Sequence, residues 1–205
     1  MKQLHDLCKA HLAARPDCAA YLPAFAGKST GISGPSPLKR ADSGGLEAGV
    51  ADLADAATDE TRPLVDGVAH NRTSLDWWST YTEADMAGRG MATGMSACQF
   101  CGPGAPFDAP DGRAGFFYVK DDVEYAAHRH EPDEIYAILA GRARFWNEAT
   151  GWAEAGAGDI IQTPSWSWHG MTTDQGPVLI MWAWIGADYD VYPEMRDATG
   201  ALPPG

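Results

Sequence analysis

The sequence is poor in basic residues and has no long apolar run. Among its 205 residues, 15 Lys and Arg stand against 28 Asp and Glu, which gives a formal net charge of −13. Such an excess of negative charge repels phosphate backbones and anionic lipids, which excludes nucleic acid and membrane surfaces as favoured partners. No stretch reaches the roughly 18 apolar residues of a membrane span. The polar N-terminus lacks the apolar centre of a signal peptide, so the sequence predicts a cytoplasmic protein.

Cysteine is also scarce, with four residues in the chain. Four cysteines are too few for a disulfide scaffold at this length. Cys98 and Cys101 have C-x-x-C spacing, but without a second pair this spacing is a weak signal for a zinc or redox site. We interpret all four as reduced thiols, as is usual in the cytosol.

Glycine and proline are abundant, and the sequence pattern changes near residue 90. Before this point the apolar residues have helical spacing. We predict an N-terminal helix, a loop over residues 27–45, a helix over 46–61 that Pro63 closes, and a short helix within 74–87. Residues 1–90 are therefore expected to form a helical N-terminal extension that packs on the following domain.

The second part of the chain has short β segments separated by Gly, Pro and Asp. Predicted strands cover residues 92–100, 115–119, 124–128, 134–140, 143–148, 159–163, 167–171 and 178–184. Short strands at intervals of roughly 8–12 residues are typical of a sandwich or barrel. We predict a mainly β fold, with one barrel over residues 91–197 and a loose tail over residues 198–205.

One segment of the β region carries a metal-binding pattern. It reads His128-Arg129-His130-Glu131-Pro132-Asp133-Glu134-Ile135-Tyr136. Because side chains two apart on a strand share a face, His128 and His130 point the same way, as do Glu134 and Tyr136. His169, near a later predicted strand, is a further candidate. Three imidazoles and a carboxylate suit a divalent metal such as Fe, Mn, Co, Ni or Zn.

These residues resemble the cupin superfamily. The spacing His128-x-His130-x3-Glu134-x6-Gly141 is similar to the first cupin motif, and Gly158-x5-Pro164-x4-His169 is similar to the second. The resemblance covers about residues 115–185. It implies a double-stranded β-helix, or jelly-roll, barrel that binds one metal ion.

Three scaffold positions depart from the cupin pattern. Asp122 and Trp166 stand where cupins usually have glycine, and Thr173 stands where they usually have asparagine. None of the three is a predicted ligand, so the departures leave the metal motif intact. They indicate a specialised branch with a bulky, aromatic pocket.

Within the superfamily, the chain most resembles bacterial cupin-type dimethylsulfoniopropionate (DMSP) lyases. The likeness rests on residues 125–136, with a Tyr before the first His and a Tyr two after the Glu, and on the helical extension and length. Those enzymes release dimethyl sulfide and acrylate. The resemblance implies that His128, His130, Glu134 and His169 surround the metal. It further implies that Tyr136 is the general base and Tyr125 an assisting pocket residue.

The elimination reaction fits this set of residues. Three neutral histidines and one glutamate around a divalent ion leave a site near +1, which favours the carboxylate of a small zwitterionic substrate. The sulfonium end would be held by aromatic faces. Trp166 and Trp168, just before the last histidine, are the first candidates, together with Trp184. Trp78 and Tyr81 are expected to close the pocket.

Several alternatives stay open at this point. An iron dioxygenase acting on a small substrate, or a non-catalytic ligand-binding cupin, would use the same motif. The ligand set accepts Fe²⁺, Zn²⁺, Mn²⁺ or Co²⁺, and Tyr136 could serve as base or as metal ligand. A homodimer is possible. His5, His11 and His70 are interpreted as surface residues.

Overall fold

Strands dominate the second part of the molecule. The computed structural model describes residues 1–30, 36, 38–82, 91–189, 192–196 and 201–204. The strands are β1 (Lys28–Ser29), β2 (Ala41–Asp42), β3 (Trp77–Ser79), β4 (Met95–Cys101), β5 (Phe107–Asp108), β6 (Arg113–Val119), β7 (Val123–Arg129), β8 (Asp133–Ala140), β9 (Arg142–Asn147), β10 (Gly151–Gly156), β11 (Ile160–Thr163), β12 (His169–Thr173), β13 (Val178–Ile185) and β14 (Glu194–Met195). The prediction of a mainly β protein is therefore confirmed.

Two sheets enclose one hydrophobic core. The larger sheet has the order β1-β5-β4-β6-β13-β8-β11, with β3 beside β4 and β2 beside β3. The smaller sheet has the order β10-β9-β12-β7-β14. Buried residues of both sheets belong to a single cluster. Because β7 lies in the smaller sheet and β8 in the larger one, the motif that spans them places its side chains between the sheets.

Helical segments cover the outer face of the larger sheet, except for the short helix Met91–Gly94, which packs on β7 of the smaller sheet. They are α1 (Lys2–Ala13), α2 (Arg62–Asn71), α3 (Met91–Gly94) and 3-10 helices over Pro16–Phe25, Leu46–Asp52, Ala54–Ala56 and Arg72–Ser74. The first 3-10 helix packs on β13 and β6, and α2 packs on β8. As a result, every residue of β6 is buried, and that strand is covered on both faces.

The interpretation of two N-terminal histidines as surface residues is wrong. His5 and His11 lie on the buried face of α1, with Leu4, Cys8 and Leu12. The ring of His5 stacks on Phe107 at a centroid distance of 4.1 Å. Both histidines are buried because the face of α1 that packs on the protein includes them as well as its apolar residues. His70 is exposed, as predicted.

The helix predicted for residues 46–61 is also wrong. That segment forms 3-10 turns over Leu46–Asp52 and Ala54–Ala56, and an α-helix begins only at Arg62. Pro63 lies in the first turn of this helix rather than after its end, where its missing N–H costs nothing. Gly49 packs directly against the Tyr118 hydroxyl, so the close approach to the sheet decides the local conformation.

Two further local differences concern strands. Within the region predicted as a helix over residues 74–87, Trp77–Ser79 is a strand that pairs with β4, because its two tryptophans pack well on a sheet. Residues 83–87 lie outside the described part of the chain. The Ala- and Gly-rich β10 was not predicted. In the described residues, no helix combines the length and apolarity of a membrane span.

Candidate metal centre and active site

Three histidines converge between the two sheets. His128 lies near the end of β7, His130 follows that strand, and His169 begins β12. His169 pairs directly with His128 across the smaller sheet. All three side chains are buried, and their ligand nitrogens lie within 4.8 Å of one another. The two-residue spacing on β7 and the pairing with β12 thus bring the predicted histidines together.

Each histidine is oriented by a backbone carbonyl. The Nδ1 atoms of His128, His130 and His169 lie 2.8, 3.0 and 2.9 Å from the carbonyl oxygens of Ala126, Pro132 and Ser167. Because a carbonyl can only accept, Nδ1 donates in each ring, and Nε2 is left to face the cluster. Burial lowers the pKa of His128 well below its ordinary value, and the neighbouring His169 and His130 add to this effect. Neutral imidazoles of this tautomer are metal ligands.

Glu134 completes the cluster from the opposite sheet. Its Oε2 atom lies 3.3 Å from Nε2 of His130 and 3.3 Å from Nε2 of His169. Its Oε1 atom accepts a hydrogen bond of 2.5 Å from Nε1 of Trp184. Burial alone would raise the pKa of Glu134, but its interactions with His130 and His169 outweigh burial and hold that pKa below its ordinary value.

The donor set fits a divalent metal ion. In the described structure, Nε2 of His130, Nε2 of His169 and Oε2 of Glu134 are buried without a hydrogen-bond partner. Lone pairs that face one another in a buried site repel unless a proton or cation lies between them. Imidazole nitrogens and a carboxylate are ligands for Fe, Zn, Mn and Co, so the chemistry of the cluster is that of a metal site.

Two tyrosines lie beside the cluster. The ring of Tyr125 stacks on His128 at 4.1 Å, and its hydroxyl lies 3.1 Å from the hydroxyl of Tyr81. Tyr136 lies two residues after Glu134 on β8. Burial raises the pKa of both Tyr125 and Tyr136 well above the ordinary value, and the charge of Glu134 raises the pKa of Tyr136 further.

A cavity, here called the aromatic cavity, leads to these tyrosines. Its wall contains the aromatic residues Trp78, Tyr81, Phe117, Tyr125, Tyr136, Trp182 and Trp184. Among the described residues that line it, Glu134 is the only one with a charged side chain. The cavity therefore offers aromatic faces to a small cation, and its described walls contain no basic side chain for an anion.

The structure separates the predicted substrate-binding residues into two groups. Trp184, Trp78 and Tyr81 line the aromatic cavity. Trp166 and Trp168 instead lie against Arg129, whose guanidinium carbon is 5.4 and 4.5 Å from their ring centroids. Neither of these two tryptophans lines this cavity.

Trp182 and Phe117 are cavity residues that the sequence interpretation did not select. Trp182 shares a face of β13 with Trp184, so the two-residue spacing could have identified it. Phe117 lies in a fully buried strand, and its sequence context does not distinguish it from ordinary core residues.

The unusual scaffold residues retain the backbone shape that glycine favours. Asp122 has a φ angle of 58° and Trp166 has a φ angle of 59°, both in the left-handed region. These are the two positions named above at which cupins usually have glycine. Aspartate tolerates this conformation better than most residues, but a tryptophan there is uncommon. The loop that leads to His169 therefore carries a strained, 44% exposed Trp166.

Two facing sheets that bury three histidines and a glutamate define a cupin protein with a candidate metal centre. The sequence profile of the dimethylsulfoniopropionate lyase family matches residues 46–180. The chain therefore belongs to the DMSP lyase family.

Individual relatives agree with this assignment. The chain is 31% identical over 126 residues to the dimethylsulfoniopropionate lyase DddQ of Ruegeria pomeroyi, and the match spans 62% of each protein. Solved structures of DMSP lyase DddQ from Ruegeria pomeroyi and of the DMSP lyases RdDddP and RnDddQII resemble it with TM-scores of 0.78 and 0.77. These matches cover 95% of this chain and 95% and 96% of the solved chains, at 23% and 24% identity. The cupin fold with a helical N-terminal segment is thereby confirmed.

Proposed function

We propose that this protein cleaves DMSP by β-elimination to dimethyl sulfide and acrylate. The observation that carries the proposal is an aromatic cavity lined by Glu134 and Tyr136, beside the buried cluster of three histidines. Membership of the DMSP lyase family supports the same substrate. The expected partner is accordingly a small zwitterion, with a sulfonium at one end and a carboxylate at the other.

The two ends of the substrate require different surroundings. Aromatic faces attract a sulfonium with on the order of 0.5–2 kcal/mol each, and Trp78, Trp182 and Trp184 supply such faces. The described wall has no basic side chain for the carboxylate. His128, His130, Glu134 and His169 would hold the metal. When bound, this metal supplies positive charge that polarises the substrate carboxylate and favours the phenolate of Tyr136.

Tyr136 is the proposed general base. Its phenolate would remove a proton from the carbon next to the substrate carboxylate. The C–H electron pair becomes the new carbon–carbon double bond, and the C–S electron pair leaves on sulfur as neutral dimethyl sulfide. Tyr136 then holds the proton as a phenol. Tyr125, paired with Tyr81 at 3.1 Å, would position the substrate beside this base.

The test is an assay of the purified protein with DMSP, with and without added Fe²⁺, Mn²⁺, Co²⁺ or Zn²⁺. We expect equal amounts of dimethyl sulfide in the headspace and acrylate in solution, dependent on the metal. Tyr136→Phe should keep the metal and lose roughly 10²–10⁴-fold in kcat, the usual contribution of a general base. Tyr118→Phe is the matched control, because Tyr118 is a buried tyrosine outside the cavity.

Other results would count against the proposal. No product from protein with verified metal content would refute the lyase function. Oxygen uptake during turnover would favour a dioxygenase. Near-normal turnover of Tyr136→Phe would exclude this residue as the base. Cytoplasmic location and a homodimer stay predictions, and light scattering in solution tests the latter.

A further inference from the structure

A second cavity lies beyond the tyrosines. It is enclosed by β7, β9, β10 and β12 of the smaller sheet and by β8 and β11 of the larger one. His128 and His169 form part of its inner end, and Tyr125 and Tyr136 line it as well as the aromatic cavity. The metal cluster thus borders both cavities, through Glu134 on the aromatic cavity and through His128 and His169 on the second cavity.

Two tyrosine rings separate the cavities. The ring of Tyr136 lies between Phe117 in the aromatic cavity, at 6.4 Å, and Phe145 in the second cavity, at 6.2 Å. The ring of Tyr125 lies between Tyr81, at 5.8 Å, and His128, at 4.1 Å. A molecule formed at Tyr136 is therefore in contact with the boundary of both cavities.

The second cavity differs from the first in its chemistry. Among the described residues that line it, none is Asp, Glu, Lys or Arg. Phe145, Ile160, Ile161 and Met171 provide apolar walls. Neutral polar side chains also line the cavity, and these are Asn147, Thr150, Gln162 and Thr163. Away from its inner end at the metal cluster, a charged molecule would lose hydration without a compensating ion pair. The cavity therefore suits a small uncharged molecule.

We propose that the second cavity binds the neutral thioether product and provides its route out of the enzyme. This inference rests on the proposed lyase function. When the C–S electron pair moves onto sulfur, the sulfonium becomes an uncharged thioether. The cation–π attraction of the aromatic cavity is lost at that moment. The uncharged product is then no longer held by the aromatic cavity and leaves through the second cavity, while the acrylate carboxylate stays at the metal cluster.

The outer end of the cavity allows a selective block. Ala153 on β10 and Thr150 in the preceding turn line the cavity and are exposed. A tryptophan at either position would fill the opening without touching Tyr136 or the metal ligands. Glu154 is the neighbouring residue on the outer face of β10, where its carboxylate lies 3.6 Å from Arg142. Glu154→Trp is therefore the matched control for Ala153→Trp.

The first measurement is a ligand-observed NMR titration, which determines how tightly dimethyl sulfide binds to the resting protein. We expect Ala153→Trp and Thr150→Trp each to weaken this binding at least tenfold, and Glu154→Trp to leave it unchanged. Thr150→Trp lies in an exposed turn, so it tests the inference even if Ala153→Trp does not fold. Equal binding of dimethyl sulfide to both blocking variants and wild type would overturn the inference.

The second measurement is product inhibition. If dimethyl sulfide occupies its own cavity, it should inhibit DMSP cleavage noncompetitively, and the blocking variants should keep KM within twofold. Competitive inhibition would place both molecules in the aromatic cavity and overturn the inference. The two proposals fail separately, because absence of DMSP cleavage in wild type refutes the lyase function, whereas the binding titration requires no turnover.

Discussion

His11 should make the stability of this protein sensitive to mild acid. Its side chain is buried, and its Nε2 atom has no hydrogen-bond partner in the described structure. Burial, together with the positive charge of Arg15, lowers its pKa from 6.5 to about 4, although Glu60 partly opposes both. Because the unfolded chain takes up the proton at a higher pH than the folded chain, acid favours unfolding.

The size of the effect follows from these two pKa values. Above pH 6.5 neither state binds the proton, so the full stability is present. As the pH falls from 6.5 towards 4, the unfolded state gains a proton that the folded state does not bind. The resulting loss of unfolding free energy is about 2 kcal/mol at pH 5, and it approaches about 3 kcal/mol below pH 4.

The assay compares urea unfolding of wild type and His11→Leu at several pH values between 7 and 5. Wild type should lose about 2 kcal/mol more than the variant over this range. His70→Leu is the control, because His70 is exposed on α2. It should follow wild type, and the metal-site histidines contribute equally to all three proteins. Parallel curves for wild type and His11→Leu would refute the assignment of this pH dependence to His11.

Three further predictions concern tryptophans. Trp184→Phe removes the Nε1 donor to Glu134 but keeps an aromatic ring. Chelator competition should therefore show a roughly 10–100-fold lower metal affinity. Unchanged affinity would contradict a role of Trp184 in orienting Glu134. At Trp166, which has a left-handed backbone, the Gly variant should exceed the Ala variant in urea stability by about 1–2 kcal/mol. The usual order, with Ala more stable, would exclude backbone strain there. Trp182→Leu should raise KM for DMSP roughly 2–30-fold, whereas Trp166→Ala should leave KM within twofold. The opposite pattern would show that Trp166, and not Trp182, contacts the sulfonium.

The β region was predictable because local sequence and tertiary pairing agree there. Predicted strands such as residues 134–140 and 178–184 differ from the observed Asp133–Ala140 and Val178–Ile185 by one residue at one end. Turn residues bound these strands, so their ends are encoded locally. The segment before residue 90 was less predictable, since its Ala- and Gly-rich stretches have no strong preference and packing on the sheet decides their conformation.

The candidate site, like the fold, was predictable from the sequence only in part. The period of two on β7 was enough to place His128 and His130 on one face, and the structure brings His169 beside them. The walls of the cavities were not readable from the sequence, because they depend on which strands face each other across the core. This is why Trp166 and Trp168, close to His169 in sequence, were selected for the pocket although they lie against Arg129.

The backbone carbonyls that hold the three histidines have a consequence for how this site can evolve. Every residue type has a carbonyl, so substitutions at Ala126, Pro132 or Ser167 change side chains without removing the acceptors. The histidine tautomers are therefore insensitive to mutation nearby. Glu134 depends instead on the indole of Trp184. A substitution at position 184 would thus change the surroundings of the Glu134 carboxylate while the histidine geometry stays constant.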